Sequence, residues 1–278
     1  MLRNHRMTSH GSDKLFSGSI PELYDTHLVP LIFEPYAADL VERLASNPVA
    51  RVLEIAAGTG VVTRTMASAL PTSVSIVATD LNQPMIDYAC ARGTSRPVEW
   101  RQADAMQLPF QDRTFDAVVC QFGVMFFPEK ARAYSEARRV LKAGGIFLFN
   151  VWDRIEENEF AHTVTAALAT VFTDDPPRFL ARIPHGYYNH EIIERDLAKA
   201  GFTTTPVITT LAARSRAQSY QIPAIAYCQG TPLRNEIEAR DASRLGEATD
   251  IAAEAIAQRF GRRTLDGKIR AHVVSIET

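Results

Sequence analysis

Few cysteines and no long apolar run set the first limits on this protein. The 278-residue sequence has three cysteines, Cys90, Cys120 and Cys228, and none belongs to a CxxC or Cys/His cluster. Because disulfide frameworks and zinc sites need paired or clustered ligands, the sequence predicts neither a disulfide nor a metal site. No stretch of about 18 apolar residues is present, so we expect no transmembrane helix and no membrane partner.

Basic and acidic residues are nearly balanced along the chain. There are 30 Lys and Arg against 32 Asp and Glu, and the basic residues are scattered rather than massed. A protein that neutralises many phosphates needs a basic face, so the sequence predicts no nucleic-acid partner. Residues 1–13 are polar and lack the apolar core of a signal peptide, which predicts a disordered tail and a cytoplasmic protein.

Apolar strands and helices alternate regularly up to Trp152. The predicted strands are residues 51–56, 75–79, 98–102, 115–120 and 145–151, and the helices that follow them are residues 61–70, 84–92 and 130–141. Two short helices are expected before them, within residues 21–45. Nearly apolar strands that alternate with helices form a parallel sheet with both faces covered. The sequence therefore predicts an α/β fold.

The alternation ends after Trp152. The later predicted elements are helices at residues 156–172 and 189–200, a strand at 202–211, one long helix at 234–260 and a last strand at 271–276. We expect a core of residues 14–153 that includes the N-terminal helices. Residues 154–278 then add a helical lid and the last strands of the same sheet.

The segment VLEIAAGTG, residues 52–60, indicates a ligand site. A strand runs directly into Gly58 and Gly60, and glycine lets the backbone turn tightly and approach a ligand closely. The third glycine of the dinucleotide fingerprint G-x-G-x-x-G is absent, because VVT follows Gly60. Asp80 stands at the end of the second predicted strand, where a carboxylate can accept hydrogen bonds from both hydroxyls of a ribose.

Five ordered motifs between residues 45 and 153 are shared with a known family. They are VLEIAAGTG, DLNQPM from Asp80, QADAMQLPF at residues 102–110, FDAVVCQFGVMFF at 115–127 and VLKAGGIFLFNVWD at 140–153. Together they resemble the class I S-adenosylmethionine (SAM)-dependent methyltransferases, most closely the type 11 group that methylates quinones and natural products. The resemblance implies a Rossmann-like three-layer sandwich with a mostly parallel, seven-stranded sheet and an inserted and C-terminal helical lid.

The resemblance also implies SAM as the cofactor and fifteen residues that bind it. Gly58 and Gly60 approach the amino-acid part of the cofactor, Glu54 and Thr63 lie near its amino or carboxylate ends, and Ala56 and Thr59 belong to the same binding set. Asp80 holds the ribose, and Leu81, Met85, Asp104, Ala105 and Met106 lie at adenine. Gln121 and Phe122 lie beneath the ligand, with Gln121 near the methyl group, and Tyr24 covers the cofactor. In this scheme the Asp104 carboxylate accepts a hydrogen bond from the adenine amino group.

Three of these assignments compete with a structural role. Glu54 could be a buried carboxylate satisfied by backbone donors, although an acid inside an apolar strand is costly unless it is used. Asp104 could cap the turn that follows it. Phe122 and residues 125–127 could form either a substrate floor or ordinary core.

The implied reaction is transfer of a methyl group from SAM to an oxygen, carbon or nitrogen atom of a small organic molecule. QFGVM follows the fourth predicted strand, where amino methyltransferases of DNA bases and protein amides carry Asn-Pro-Pro-Tyr or Asp-Pro-Pro-Tyr. This difference argues against a nucleic-acid acceptor. No catalytic residue is assigned, and His162, His185 and His190, with Tyr187 and Tyr188, are the candidates for a general base.

Other functions stay open from the sequence alone. A non-catalytic SAM-binding or regulatory protein would keep the same pocket, because methyl transfer has no obligatory catalytic residue. An NAD(P)-dependent oxidoreductase uses a similar strand, turn and helix, but the missing third glycine argues against it. The exposed face of the helix predicted at residues 234–260 leaves a homodimer open.

Overall fold

A seven-stranded sheet forms the centre of the protein. The computed structural model describes residue 16 and residues 18–278. The strands are β1 Arg51–Ile55, β2 Ser75–Asp80, β3 Glu99–Gln102, β4 Phe115–Gln121, β5 Leu141–Trp152, β6 Val207–Ser219 and β7 Arg263–Glu277. Their order is β3-β2-β1-β4-β5-β7-β6. β1 to β5 pair in parallel, and β7 is antiparallel to both β5 and β6. The predicted α/β fold with a mostly parallel sheet is confirmed.

Helices surround this sheet. They are α1 Ile20–Leu23, α2 Glu34–Ala45, α3 Val61–Ala69, α4 Gln83–Arg92, α5 Lys130–Val140, α6 Glu159–Val171, α7 Phe179–Arg182, α8 His190–Lys199, α9 Gln221–Gln229, α10 Leu233–Asp241 and α11 Leu245–Phe260. A π-helical segment, Tyr24–Phe33, joins α1 to α2. Pro30 lies inside it and has no N–H to donate, so the ordinary helical ladder is interrupted there.

Both faces of the sheet are covered, which gives three layers. Successive side chains of a strand point to opposite faces. Leu53 and Ile55 of β1 pack in the larger core, whereas Val52 packs on the other face with Val62 and Met66 of α3. The strand is therefore apolar on both sides, as its sequence predicts.

The carboxyl ends of β1, β2 and β4 lie at one edge of the sheet. β1 is between the other two, with Glu54 level with Ala78 on β2 and with Val119 on β4. In the sheet, β2 and β3 lie on one side of β1, and β4 and β5 lie on the other side. Ligands of open α/β sheets bind outside the carboxyl ends at such a switch point. The fold therefore places a crevice beyond Ile55, Asp80 and Gln121.

The C-terminal region corrects one predicted helix. A single helix over residues 234–260 is wrong, because α10 ends at Asp241 and α11 begins at Leu245. Asp241 has an extended backbone, with φ −161° and ψ 104°, and its carboxylate accepts hydrogen bonds from the N–H and the hydroxyl of Ser243. A capping aspartate starts a new helical segment, and apolar residues on both sides hide this break in the sequence.

The residues after 153 build onto the same sheet. β6 and β7 pair from Val207–Ser275 to Ser219–Arg263, and α6, α9 and α11 pack against one another. The boundary between residues 153 and 154 stays a prediction, and the predicted tail lies outside the described residues. Within residues 16 and 18–278, no helix combines the length and the apolar character needed to cross a membrane.

Candidate functional site

A cleft opens beyond the carboxyl ends of β1, β2 and β4, and it encloses about 850 Å³ when the space open to solvent is included. Eleven of the fifteen residues predicted to bind the cofactor line it, namely Tyr24, Ala56, Gly58, Asp80, Leu81, Met85, Asp104, Ala105, Met106, Gln121 and Phe122. The other four, Glu54, Thr59, Gly60 and Thr63, are buried and lie outside its lining.

The loop between β1 and α3 forms one wall of the cleft. Ala56, Gly58 and Gly60 have left-handed backbone, with φ of 54°, 57° and 86°. Glycine adopts this region without the steric cost that other residues meet. A Cβ on Gly60 would also lie 2.8 Å from Cη2 of Trp100. The two glycines of the motif are therefore required by the turn itself, whatever ligand it meets.

Asp80 ends β2 with both carboxylate oxygens held by backbone donors. Oδ2 accepts the N–H of Gly58 at 2.8 Å, and Oδ1 accepts the N–H of Asn82 at 2.8 Å. Burial raises the pKa of Asp80 above its usual value, although the hydrogen bonds from Asn82 and Gly58 oppose the shift. The carboxylate thus ties the glycine loop to β2 at the floor of the cleft.

Glu54 lies beneath the loop and is bonded to α3. The hydroxyl of Thr63 donates to Oε2 of Glu54, so the donor is a side chain rather than the backbone. Only 1% of Glu54 is exposed. This burial raises the pKa of the Glu54 carboxyl to about 8, while Thr63 and Arg64 act to lower it. This shift favours the protonated form of the Glu54 carboxyl at neutral pH.

The segment after β3 forms the wall opposite the glycine loop. Oδ1 of Asp104 accepts the N–H of Met106 at 2.9 Å, so Asp104 does cap the following turn. It lines the cleft as well. Leu81, which is 45% exposed, and the buried Met85 lie in the same cleft. Together they offer apolar surface to a flat ring, as ligand pockets commonly do.

The end of β4 carries a free amide oxygen and a strained aromatic residue. Oε1 of Gln121 is buried and has no hydrogen-bond partner within the described part of the chain. Phe122 has a left-handed φ of 48°, its N–H donates to Oδ1 of Asn150 at 2.8 Å, and its ring stacks on Trp152 with centroids 3.8 Å apart. Such strain in a bulky residue gathers at functional sites. Phe122 is thus both core and cleft wall.

Eight cleft residues were not among the predicted binding set. They are Phe16, Thr79, Asn82, Ala103, Gly123, Phe126, Phe127 and Pro128. Five of them fall inside the shared motifs, which could have identified them: Asn82, Ala103, Gly123, Phe126 and Phe127. No motif marks Phe16, whose ring centroid lies 6.0 Å from those of Tyr24 and Phe126.

Tyr24 covers the cleft from the π-helical segment. Its ring stacks on Phe33 at 5.1 Å, and the neighbouring Asp25 forms ion pairs with Arg64 at 3.1 Å and Arg92 at 3.2 Å. These pairs fasten the segment to α3 and α4. Burial, together with the charges of Asp80 and Asp25, raises the pKa of Tyr24, so its hydroxyl stays protonated.

The charge of the cleft suits a cationic nucleoside. Asp80 and Asp104 are its charged side chains, and neither Lys nor Arg is among the described residues that line it. A pyrophosphate is usually met by cationic side chains or several convergent N–H donors. SAM instead combines a ribose and adenine with a positively charged sulfonium. These groups fit the carboxylates of Asp80 and Asp104, the unpartnered amide oxygen of Gln121 and the apolar side chains of Leu81 and Met85.

Gly123 sets the contact between the glycine loop and the end of β4. A Cβ at Gly123 would lie 2.5 Å from Cβ of Ala56 and 2.6 Å from Sγ of Cys120. We expect Gly123→Ala to lower the free energy of unfolding by about 2 kcal/mol, because the new Cβ would force the side chains of Ala56 and Cys120 to shift. Urea unfolding measures this. Gly246→Ala is the control, since no atom lies within 4 Å of its new Cβ, and equal losses in both variants would contradict the contact.

Comparison with known proteins agrees with this geometry. A family model described as a methyltransferase domain matches residues 53–149. A demethylmenaquinone methyltransferase of Lactiplantibacillus plantarum is 41% identical over 105 residues, which are 36% of this chain and 44% of that protein. A ubiquinone/menaquinone biosynthesis C-methyltransferase of Ectopseudomonas mendocina is 30% identical over 175 residues, which are 58% of this chain and 68% of that protein. The chain thus spans less than half of the first relative and about two thirds of the second.

Solved structures share the fold. A SAM-dependent methyltransferase from Thermotoga maritima superposes with a TM-score of 0.54 at 17% identity, covering 94% of this chain and 97% of that one. The Haemonchus contortus phosphoethanolamine N-methyltransferase 2, solved with phosphomonomethylethanolamine and S-adenosylhomocysteine, has a TM-score of 0.54 at 17% identity, covering 88% of this chain and 52% of that one. The strand order, the glycine loop and these relatives agree, and the chain belongs to the class I SAM-dependent methyltransferase family.

Proposed function

We propose that this protein is an enzyme that transfers a methyl group from SAM to an oxygen, carbon or nitrogen atom of a small organic molecule. The lining of the cleft is the main support for this proposal. Asp80 offers a partner for a ribose, Gln121 for a cationic sulfur, and the surface of Leu81 and Met85 for an adenine. The relatives named as quinone methyltransferases support a small-molecule acceptor.

Each part of the cleft then has a task in binding. Asp80 holds the ribose, Leu81 and Met85 pack against adenine, and the second oxygen of Asp104 accepts from the adenine amino group. Oε1 of Gln121 faces the positive sulfur, since it has no protein partner of its own within the described residues. Glu54, Thr59, Gly60 and Thr63 hold the loop from behind, and their contact with the amino-acid part of the cofactor stays a prediction.

The reaction needs positioning more than acid–base chemistry. When bound, SAM supplies a methyl group that is already activated by its positive sulfur. The chain contributes orientation and exclusion of water, which can supply much of the rate acceleration. Phe16, Tyr24 and Phe126 surround the cleft with aromatic rings, so an acceptor meets the methyl group in an apolar setting.

Calorimetry with SAM, S-adenosylhomocysteine and NADH tests the cofactor assignment. We expect both sulfur ligands to bind at least about 100-fold more tightly than NADH, a difference of about 2.7 kcal/mol. The reason is the acidic lining, which opposes a pyrophosphate. If NADH bound more tightly than SAM and S-adenosylhomocysteine, the result would contradict the cofactor assignment and favour the NAD(P)-dependent oxidoreductase alternative.

Methyl transfer to a panel of small acceptors tests the reaction itself. Release of S-adenosylhomocysteine that depends on an acceptor supports an enzyme. Binding without release to any acceptor favours the non-catalytic SAM-binding alternative. A location in the cytoplasm and assembly as a homodimer stay predictions of the sequence.

A further inference from the structure

A second cavity adjoins the cofactor cleft and encloses about 540 Å³, a volume that includes space open to solvent. Phe16, Tyr24, Phe122 and Phe126 line both cavities, so the two cavities meet at these rings. We call the second cavity the aromatic pocket, and its other lining residues include Leu28, Ile32, Phe33, Trp152, His185 and Tyr227. Its lining is mostly rings and aliphatic side chains, which suits a flat apolar molecule.

Two polar side chains of this pocket are already fully engaged with the backbone. Asn158 donates to the carbonyl oxygens of Asp153, Arg154 and Arg270 and accepts the N–H of Arg270. Thr231 donates to the carbonyl oxygen of Tyr227 and accepts the N–H of Leu233. Each already donates and accepts hydrogen bonds within the fold, so neither needs a ligand to complete it.

His185 is different, because one of its ring nitrogens is free. Nδ1 lies 2.8 Å from the carbonyl oxygen of Asp153. A carbonyl only accepts hydrogen bonds, so Nδ1 carries the proton and Nε2 is an acceptor. Nε2 has no partner within the described residues, although His185 is only 5% exposed. Burial lowers the pKa of His185 to about 4, so Nε2 keeps its lone pair at neutral pH.

Tyr227 supplies the complementary group. It is 4% exposed, and its hydroxyl has no partner among the residues that the structure describes. Burial raises the pKa of Tyr227 above its usual value, so the hydroxyl keeps its proton and can donate. The pocket therefore contains one acceptor and one donor that have no partner in the described part of the chain.

We propose that the aromatic pocket binds the methyl acceptor, and that this acceptor is a flat apolar ring compound carrying a hydroxyl group. The hydroxyl donates a hydrogen bond to Nε2 of His185 and accepts one from the hydroxyl of Tyr227. A hydroxyl is the simplest group that does both. The proposal rests on the proposed function, because it places the acceptor beside the cofactor cleft. It assigns specificity to His185 and Tyr227 and leaves the attacking atom open.

Calorimetry on the full chain, with two matched probes, tests this pocket. 2-Naphthol offers a ring with a hydroxyl, whereas 2-methoxynaphthalene has the same ring and no donor. We expect the native chain to bind 2-naphthol about tenfold more tightly, the value of one or two neutral hydrogen bonds. His185→Phe should abolish the preference, and Tyr227→Phe should weaken 2-naphthol binding several-fold. The control is His162→Gln, on α6 and outside the pocket, which should leave both the binding of 2-naphthol and the preference for it unchanged.

S-adenosylhomocysteine binding, measured on the same proteins, separates this proposal from the proposed function. Equal affinity of the native chain for the two probes would overturn the pocket assignment, and so would displacement of 2-naphthol by S-adenosylhomocysteine. If S-adenosylhomocysteine still binds in those cases, the proposed function stands. If His185→Phe does not fold, the native chain and Tyr227→Phe, which loses one oxygen only, still decide the outcome.

Discussion

We expect the unfolding free energies of the native chain and of Glu54→Gln to diverge as the pH rises from 5 to 8. Burial raises the pKa of Glu54 from 4.5 to about 8. Between these two values the folded state holds a proton that the unfolded state releases. Rising pH therefore favours unfolding of the native chain, by about 1.4 kcal/mol for each pH unit. The glutamine variant lacks this loss, so it should gain about 3–4 kcal/mol relative to the native chain across this range, since the slope flattens near each pKa.

The sign holds only for the difference between the two proteins. The pKa of His185 is lowered to about 4, so in both proteins its protonation favours unfolding as the pH falls below about 6.5. That contribution opposes the Glu54 effect at acid pH but cancels when the variant is compared with the native chain. Below pH 4.5 the difference should stop changing, and above pH 8 it should level off.

Urea unfolding at several pH values measures the Glu54 effect. Glu42→Gln, on the exposed side of α2, is the control and should run parallel to the native chain at every pH. Parallel curves for Glu54→Gln as well would mean that Glu54 is already ionised in the fold. The buried bond to Thr63 would then be a charged one, and the cleft would hold one more negative charge beneath its glycine loop.

The cofactor cleft was largely predictable because its parts are local. A strand that runs into Gly58 and Gly60 must turn, and Asp80 follows the next strand, so parallel pairing brings the two within hydrogen-bond distance. The positive φ values of these glycines are encoded by the residues themselves. What local sequence did not show is which atoms face the cleft. Glu54 and Thr63 meet each other behind the loop, and only packing decides that.

The aromatic pocket was not predictable, because its walls come from distant parts of the chain. His162, His185 and His190 were equal candidates for a general base from sequence. His185 is distinguished by the carbonyl of Asp153, 32 residues earlier, which fixes its tautomer. Phe16 meets Phe126 more than a hundred positions away. Contacts of this kind leave no periodicity and no motif.

The prediction of one helix over residues 234–260 was wrong for the opposite reason. The signal for the break is local, but the apolar residues on both sides of it hide it. Apolar residues recur at helical spacing on both sides of Asp241. The capping bonds from Asp241 to Ser243 are a known helix-start pattern. In the sequence, the apolar stripe that continues past Asp241 is a stronger signal than the capping residue, so it predicts one helix. The fold resolves the conflict by ending α10 and starting α11 a few residues later.

We expect Asp80→Ala to weaken the binding of S-adenosylhomocysteine by about 100-fold, or about 2.7 kcal/mol. Hydrogen bonds to a charged acceptor contribute about 1.5–3 kcal/mol each, and the proposed ribose contacts go to this carboxylate. The variant also releases the N–H groups of Gly58 and Asn82 from their acceptor. The same substitution therefore removes the hydrogen bond between the glycine loop and β2 and the proposed partner of the ribose.

Two further variants separate these contributions. Asp80→Asn keeps a carbonyl oxygen for one of the two backbone donors and turns an NH2 group toward the other, so it should lose one backbone tie and about tenfold in affinity. Asp87→Ala, on the exposed side of α4, removes a carboxylate from the surface and should bind as the native chain does. Calorimetry gives the affinities, and thermal unfolding of each variant shows whether the loop has loosened the fold. If Asp80→Ala bound within about twofold of the native chain, the ribose would lie elsewhere. The carboxylate at the end of β2 would then serve only to shape the glycine loop.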